Sequence, residues 1–175
     1  KILNRLEGYD FKQAPHEVLG KPTINIGRIT GGARPNIVPD SCEAEIDIRY
    51  LPNQNHLKII DELREIISEL KKEDHQIDAE IDIIRYRSSV EISKEEKVIQ
   101  TIMEAFGEVM GNYPEFRGMV TPADSEYLVN ANIPSVMFGP GADRLAHTTN
   151  EWIAIDEILN AVKIYATIML ENEVN

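Results

Sequence analysis

Cysteine is almost absent from this chain. A single thiol, Cys42, in 175 residues excludes an internal disulfide and a thiolate metal cluster. Its place in an alternating run predicts a small buried packing residue rather than a nucleophile. The scarcity of thiols fits a reducing, cytoplasmic setting. Basic charge is also thin: 18 Lys and Arg stand against 30 Asp and Glu, a net charge of −12. Such a field repels phosphate backbones and anionic lipid, so neither nucleic acid nor a membrane is an expected partner. No apolar run approaches the ~20 residues that span a bilayer. An initiating Met and a secretory leader are lacking as well. The opening Lys1-Ile2-Leu3-Asn4-Arg5 reads like the middle of a helix, which predicts a piece of a longer chain. No Gly-x-Ser-x-Gly elbow supports a serine hydrolase, and no Lys-Ser or Lys-Thr pair follows the glycine loop at 139–141 to make a nucleotide site.

What is present alternates between strand and helix signals. Residues 1–8 read as a helix end closed by Gly8. Pro22 to Ile29 alternates as a strand, and the Gly- and Pro-rich stretch from Thr30 to Asp40 reads as an irregular turn. A second strand places Cys42, Ala44, Ile46 and Ile48 on one face. After a break at Pro52-Asn53-Gln54-Asn55, Leu57, Ile60, Leu63, Ile67 and Leu70 form a helical stripe flanked by Ile59 and Ile66. A third strand is expected over Ile77 to Tyr86. Beyond Ser88-Ser89, Ser93 and Glu96 spell a capping box before a helix bearing Val98, Ile102, Phe106 and Val109. Short strands are expected at Phe116–Val120 and Ile133–Phe138, and a short helix at Asp124–Asn130. A last helix from about Ile155 carries Ile158, Leu159, Val162, Tyr165, Ile168 and Met169. The fold class is α/β: a partial ferredoxin-like α/β sandwich over 1–88, then part of a larger α/β sheet domain over 89–175.

Of four histidines, His16, His56 and His75 sit in polar or helix-flanking positions. His147 follows a buried apolar run and the loop Gly139-Pro140-Gly141, the kind of place where open α/β sheets bind ligands. Glu151, four residues on, is placed to orient the imidazole. A second cluster lies in Gly31-Gly32-Ala33-Arg34-Pro35-Asn36-Ile37-Val38-Pro39-Asp40, continuing to Asp47-Ile48-Arg49. A guanidinium can clamp a carboxylate through two parallel bonds, and an amide can hold an acyl oxygen. A hairpin connection shaped by Gly and Pro accounts for the same residues with no ligand at all.

These two clusters, in this order and with Asp124 between them, resemble the metal-dependent deacylases and peptidases that include acetylornithine deacetylase, succinyl-diaminopimelate desuccinylase, aminoacylase and glutamate carboxypeptidase. The resemblance implies a lid/dimerisation domain over 1–88 and the C-terminal segment of a catalytic domain over 89–175. It implies that His147 binds one of two zinc ions (cobalt being an alternative), that Asn36 and Arg49 hold the substrate's acyl oxygen and carboxylate, and that Asp124 and Gly141 line the substrate site. The segment Thr121-Pro122-Ala123-Asp124 departs from the family's Gly-Thr-x-Asp pattern. The first metal histidine, the bridging aspartate, the Glu-Glu pair with the general base, and a lid histidine are expected upstream of Lys1. One imidazole does not hold two zinc ions, so no catalytic residue is assigned within this chain, which alone is expected to be inactive. The implied whole is a homodimeric hydrolase of N-acyl amino acids or dipeptides; the alternative is a non-catalytic dimerisation or interaction module.

Overall fold

The computed structural model describes residues 1–173. Two compact units appear. The first holds Lys1–Ser89 together with Gly118–Val120; the second holds Val90–Arg117 and the residues from Thr121 onward.

In the first unit the elements run α1 (Ile2–Glu7), β1 (Thr23–Gly31), β2 (Cys42–Arg49) and α2 (His56–Glu73). The strands pair antiparallel from Thr23 opposite Arg49 to Gly31 opposite Cys42, with a bulge between Ile26 and Arg28. Ile24 faces Ile48 and Ile26 faces Ile46, so four isoleucines share one face. Helix α2 starts where Asn55 stops the chain. Its side-chain oxygen accepts the Leu57 and Lys58 N–H groups at 2.9 and 3.4 Å, satisfying donors that the first turn leaves open. Lys71 and Lys72 sit in the last turn, against the negative end of the helix dipole. The buried stripe is Ile59, Leu63, Ile67 and Leu70. Ile59 is therefore central rather than flanking, and Leu57 is exposed. Leu6, Ile59 and Leu63 form the core cluster, with Ile46, Ile48, Tyr9, Phe11 and Ile81 against it.

The hairpin outruns its cover. Ile46 and Ile48 are half-buried, but Ala44 and Cys42, on the same face toward the tip, are exposed, so Cys42 is no core residue. The expected third strand is not a strand either. Ile77, Ala79 and Ile81 are half-buried while Asp78, Glu80 and Asp82 are exposed, an alternation of burial without a strand. No ladder bonds accompany it, and the sheet has two strands among the described residues. Period two states which way side chains face; pairing needs a neighbouring edge. The segments 116–120 and 133–138 also remain unpaired.

The second unit contains α3 (Lys97–Met110), α4 (Ser125–Asn130), a short 3₁₀ turn (Asp143–Leu145) and α5 (Ile155–Glu173). Helices α3 and α5 pack together, with Ile99, Ala105, Ala161 and Ile164 buried. The apolar residues of α5 are not all packed. Ile158, Leu159, Val162, Tyr165 and Met169 are exposed, because the helix is apolar on several sides and Ala161 and Ile164 take the contact. Ser93 and Glu96 make no capping box. Ser93 bonds the Glu95 side chain and receives its N–H, and Glu96 caps α3 without a side-chain bond. The run 133–138 is tied down by rings instead of a ladder. Phe138 meets Phe106 and Tyr165 edge-on at 6.3 and 5.7 Å, and the Tyr165 hydroxyl donates to the Phe138 carbonyl at 2.8 Å.

Tyr9 closes the first core by donating its hydroxyl to Glu62 Oε2 at 2.5 Å. Burial, then the bond to Glu62 and that carboxylate's charge, raise the phenol well above its ordinary 10.0. Below that value the phenol is neutral folded or unfolded. Above it the unfolded chain ionises first, so the stabilisation is lost as pH rises. Urea unfolding is expected to show stability falling past about pH 10, and Tyr9→Phe should flatten that fall. In the same assay Asn55→Ala should cost about 1 kcal/mol at neutral pH.

Candidate substrate clamp and metal ligand

The hairpin connection is built on two glycines. A side chain on Gly31 would meet the Ser41 carbonyl oxygen at 2.9 Å, and Gly32, at φ 74°, would meet the Pro39 ring at 3.1 Å. The paired Gly-Gly thus follows from the return path of the chain. The Ile37 N–H then bonds the Arg34 carbonyl at 3.2 Å, closing a turn that holds Asn36 exposed. The Asn36 amide makes no hydrogen bond to the described residues and is free to donate to a ligand oxygen. Arg49 ends β2. Its Nε donates to Asp47 Oδ2 at 2.6 Å and its Nη1 to the Val120 carbonyl at 2.9 Å. Asp47 fixes the guanidinium plane from one side, and the Val120 carbonyl accepts one of the four terminal N–H groups.

In the second unit, Asp124 is exposed at the N-terminus of the six-residue α4, and it does not cap that helix with its side chain. Gly141 has φ 98°, and its N–H donates to Glu157 Oε2 at 3.1 Å. The chain then makes the 3₁₀ turn and reaches His147, which is exposed with φ 62°. That left-handed backbone is uncommon for a residue with a Cβ and marks stored strain. Glu151 sustains it, but by a different bond from the one expected. Its Oε2 accepts the His147 backbone N–H at 3.0 Å, not an imidazole N–H. The ring is left without a hydrogen bond to the described residues. Thr148 braces the same turn by donating to the Leu145 carbonyl at 2.7 Å.

Asn36 and Arg49 therefore belong to the first unit, and Asp124, Gly141 and His147 to the second. No three His, Cys, Asp or Glu side chains converge as a metal cage among the described residues. One imidazole falls short of the several ligands a zinc site needs, so the described residues do not form a complete site. Three structural features escaped the sequence reading. Glu157 lies 16 residues from the glycine it holds, and the Val120 carbonyl lies 71 from Arg49. Glu126, next to the expected Asp124, is 6 % exposed, yet in sequence it looks like an ordinary first-turn acid.

Residues 1–75 match the peptidase dimerisation domain of the M20 type. Relatives extend the likeness beyond it. An acetylornithine deacetylase from Myxococcus xanthus is 28% identical over 144 residues, 82% of this chain and 36% of its own. An N-formyl-4-amino-5-aminomethyl-2-methylpyrimidine deformylase from Halalkalibacterium halodurans is 26% identical over 172 residues, 91% of this chain and 40% of its own. The chain thus spans well under half the length of these curated relatives. Among solved structures, an M20 family metallo-carboxypeptidase from Sulfolobus solfataricus superposes with a TM-score of 0.66 at 20% identity, covering 97% of this chain and 41% of that one. An aminopeptidase from Bacillus cereus gives 0.65 at 24% identity, covering 84% and 39%. The fold is thereby of the same α/β kind, and no described helix is long and apolar enough to cross a membrane.

The strain at residue 147 is separable from its imidazole. His147→Gly and His147→Ala both remove the ring, but only glycine relieves φ 62°. Urea unfolding is expected to find the Gly variant more stable than the Ala variant by about 1 kcal/mol; equal stabilities would mean that the turn relaxes freely.

Proposed function

We propose that this chain supplies the substrate clamp and one metal ligand of a metal-dependent amide hydrolase acting on N-acyl amino acids or dipeptides. The observation that carries the proposal is the state of three side chains. Asn36 has a free amide, Arg49 has its plane set by Asp47, and His147 has an unbonded ring held out by Glu151. The Asn36 amide donates to the acyl oxygen of the substrate, and the Arg49 guanidinium pairs with its carboxylate. The His147 imidazole binds one of two zinc ions, whose remaining ligands and general base come from outside this chain. When bound, the metal supplies Lewis acidity and a water of lowered pKa. Asp124 and Gly141 line the substrate site. The lid/dimerisation domain covers 1–88 and the catalytic segment 89–175, with the first pairing two copies into a homodimer through α2 and a sheet edge. An exposed, unpaired Cys42 fits a reducing cytoplasm.

A second reading, a dimerisation or interaction module without catalysis, takes its support from the amphipathic α2 packed beside the antiparallel strand pair. Both readings meet in one assay on the intact protein. Metal content and hydrolysis are measured with N-acetyl and N-succinyl amino acids and with dipeptides. On the hydrolase reading His147→Ala lowers bound metal and abolishes turnover; unchanged metal and activity would establish the module instead. Arg49→Lys, which replaces a planar fork by a point charge, should raise KM for N-acetyl amino acids about tenfold or more. It should leave the corresponding carboxamides unaffected.

A further inference from the structure

The loop 139–147 and the segment 151–157 that leads into α5 fold back on each other. Glu157 Oε2 accepts the Gly141 N–H at 3.1 Å, and Glu151 Oε2 accepts the His147 N–H at 3.0 Å. Ile153, between the two acids in sequence, lies against Gly141, its Cδ1 3.6 Å from where a Cβ would stand. The other hydrogen bonds of the loop are local. The Leu145 N–H meets the Ala142 carbonyl, the Ala146 N–H that of Asp143, and Thr148 that of Leu145. From Gly139 to Ala146, the Glu157 carboxylate is thus the only hydrogen-bond partner beyond residue 151 among the described residues.

Gly141 is the point of the loop where such a tie matters most. At φ 98° it occupies a region open to glycine, and glycine turns about its backbone more freely than any other residue. Without a tie the peptide before it reorients, and the chain up to His147 follows. A carboxylate is a strong acceptor for a backbone N–H. Glu157 also lies in the first turn of the 19-residue α5, the end of a helix that favours negative charge. From this geometry we infer that Glu157 is a positioning residue: by holding the Gly141 peptide it sets the loop from which His147 presents its ring and Gly141 meets the substrate. The inference rests on the reading of His147 and Gly141 as site residues. It adds to that reading a fastening at the opposite end of the loop from Glu151, made by a side chain that acts only through the backbone it holds.

The full-length protein and its Glu157→Ala, Glu157→Gln and His147→Ala variants test it by three measurements. These are hydrogen exchange of peptides covering 139–147 in the zinc-free protein, zinc affinity by chelator competition, and KM and kcat on N-acetyl amino acids. Glu157→Ala is expected to speed the exchange about fivefold or more and to weaken zinc binding about tenfold. It should raise KM more than it lowers kcat. Glu157 is exposed, so the zinc-free melting temperature should stay within a few degrees of the wild type. Glu157→Gln keeps an oxygen acceptor and should recover most of each loss. In a His147→Ala background Glu157→Ala should weaken zinc no further, because the ring through which it acts is gone. If His147→Ala releases zinc while Glu157→Ala leaves exchange, zinc affinity and KM at wild-type values, the inference is overturned and the reading of the site stands. A Gln variant no better than Ala overturns it as well. If His147→Ala leaves zinc binding unchanged, the reading and the inference fall together.

Discussion

Leu6, Ile59 and Leu63 share one buried cluster, and everything positioned in the first 75 residues depends on it. The contact presses α1 and α2 onto the half of the hairpin that carries Ile46 and Ile48. Truncating Leu63 there would remove a side chain that is 2% exposed, the kind of change that costs about 2–5 kcal/mol. Because the cluster grips β2 near its end, Arg49 emerges at a fixed place, one residue beyond the last packed isoleucine. The opposite end of the hairpin, where Asn36 lies, projects past the core. A rigid stem with an uncovered tip suits a clamp whose contacts are made by polar groups.

The second unit reaches the same end by other means. Its apolar run at 133–138 has no ladder, and the Phe106, Phe138 and Tyr165 rings anchor it against α3 and α5. The loop that follows is held by carboxylates bonding backbone N–H groups, Glu157 at Gly141 and Glu151 at His147. Neither acid touches the imidazole. Both shape the backbone so that the ring is presented outward, at the cost of a left-handed conformation at residue 147.

Local signals carried far in this chain. The helical period located α2, and the break ending at Asn55 marked where it begins. The Gly-Gly and Asn36 motif and the stretch from Gly139 to Glu151 pointed to the M20 relatives before any coordinate. What escaped was non-local. Whether 77–86 pairs depends on an edge that no residue within it specifies. Which face of α5 is buried depends on α3, since apolar residues surround the helix. Cys42 read as core because its strand alternates, but the cover stops short of it. The capping box at Ser93 failed to a competing local bond with Glu95. The Val120 bond to Arg49 joins residues too distant in sequence for any motif to reveal.

The claim at the centre is that the residue-147 ring is a metal ligand, with the first unit gripping the substrate. An anomalous-scattering map at the zinc edge, from crystals of the intact protein grown with zinc, addresses it most directly. The account predicts a metal peak about 2.0–2.1 Å from an imidazole nitrogen of His147. A fully bound metal centre with that ring turned to solvent, elsewhere in the molecule, would contradict it.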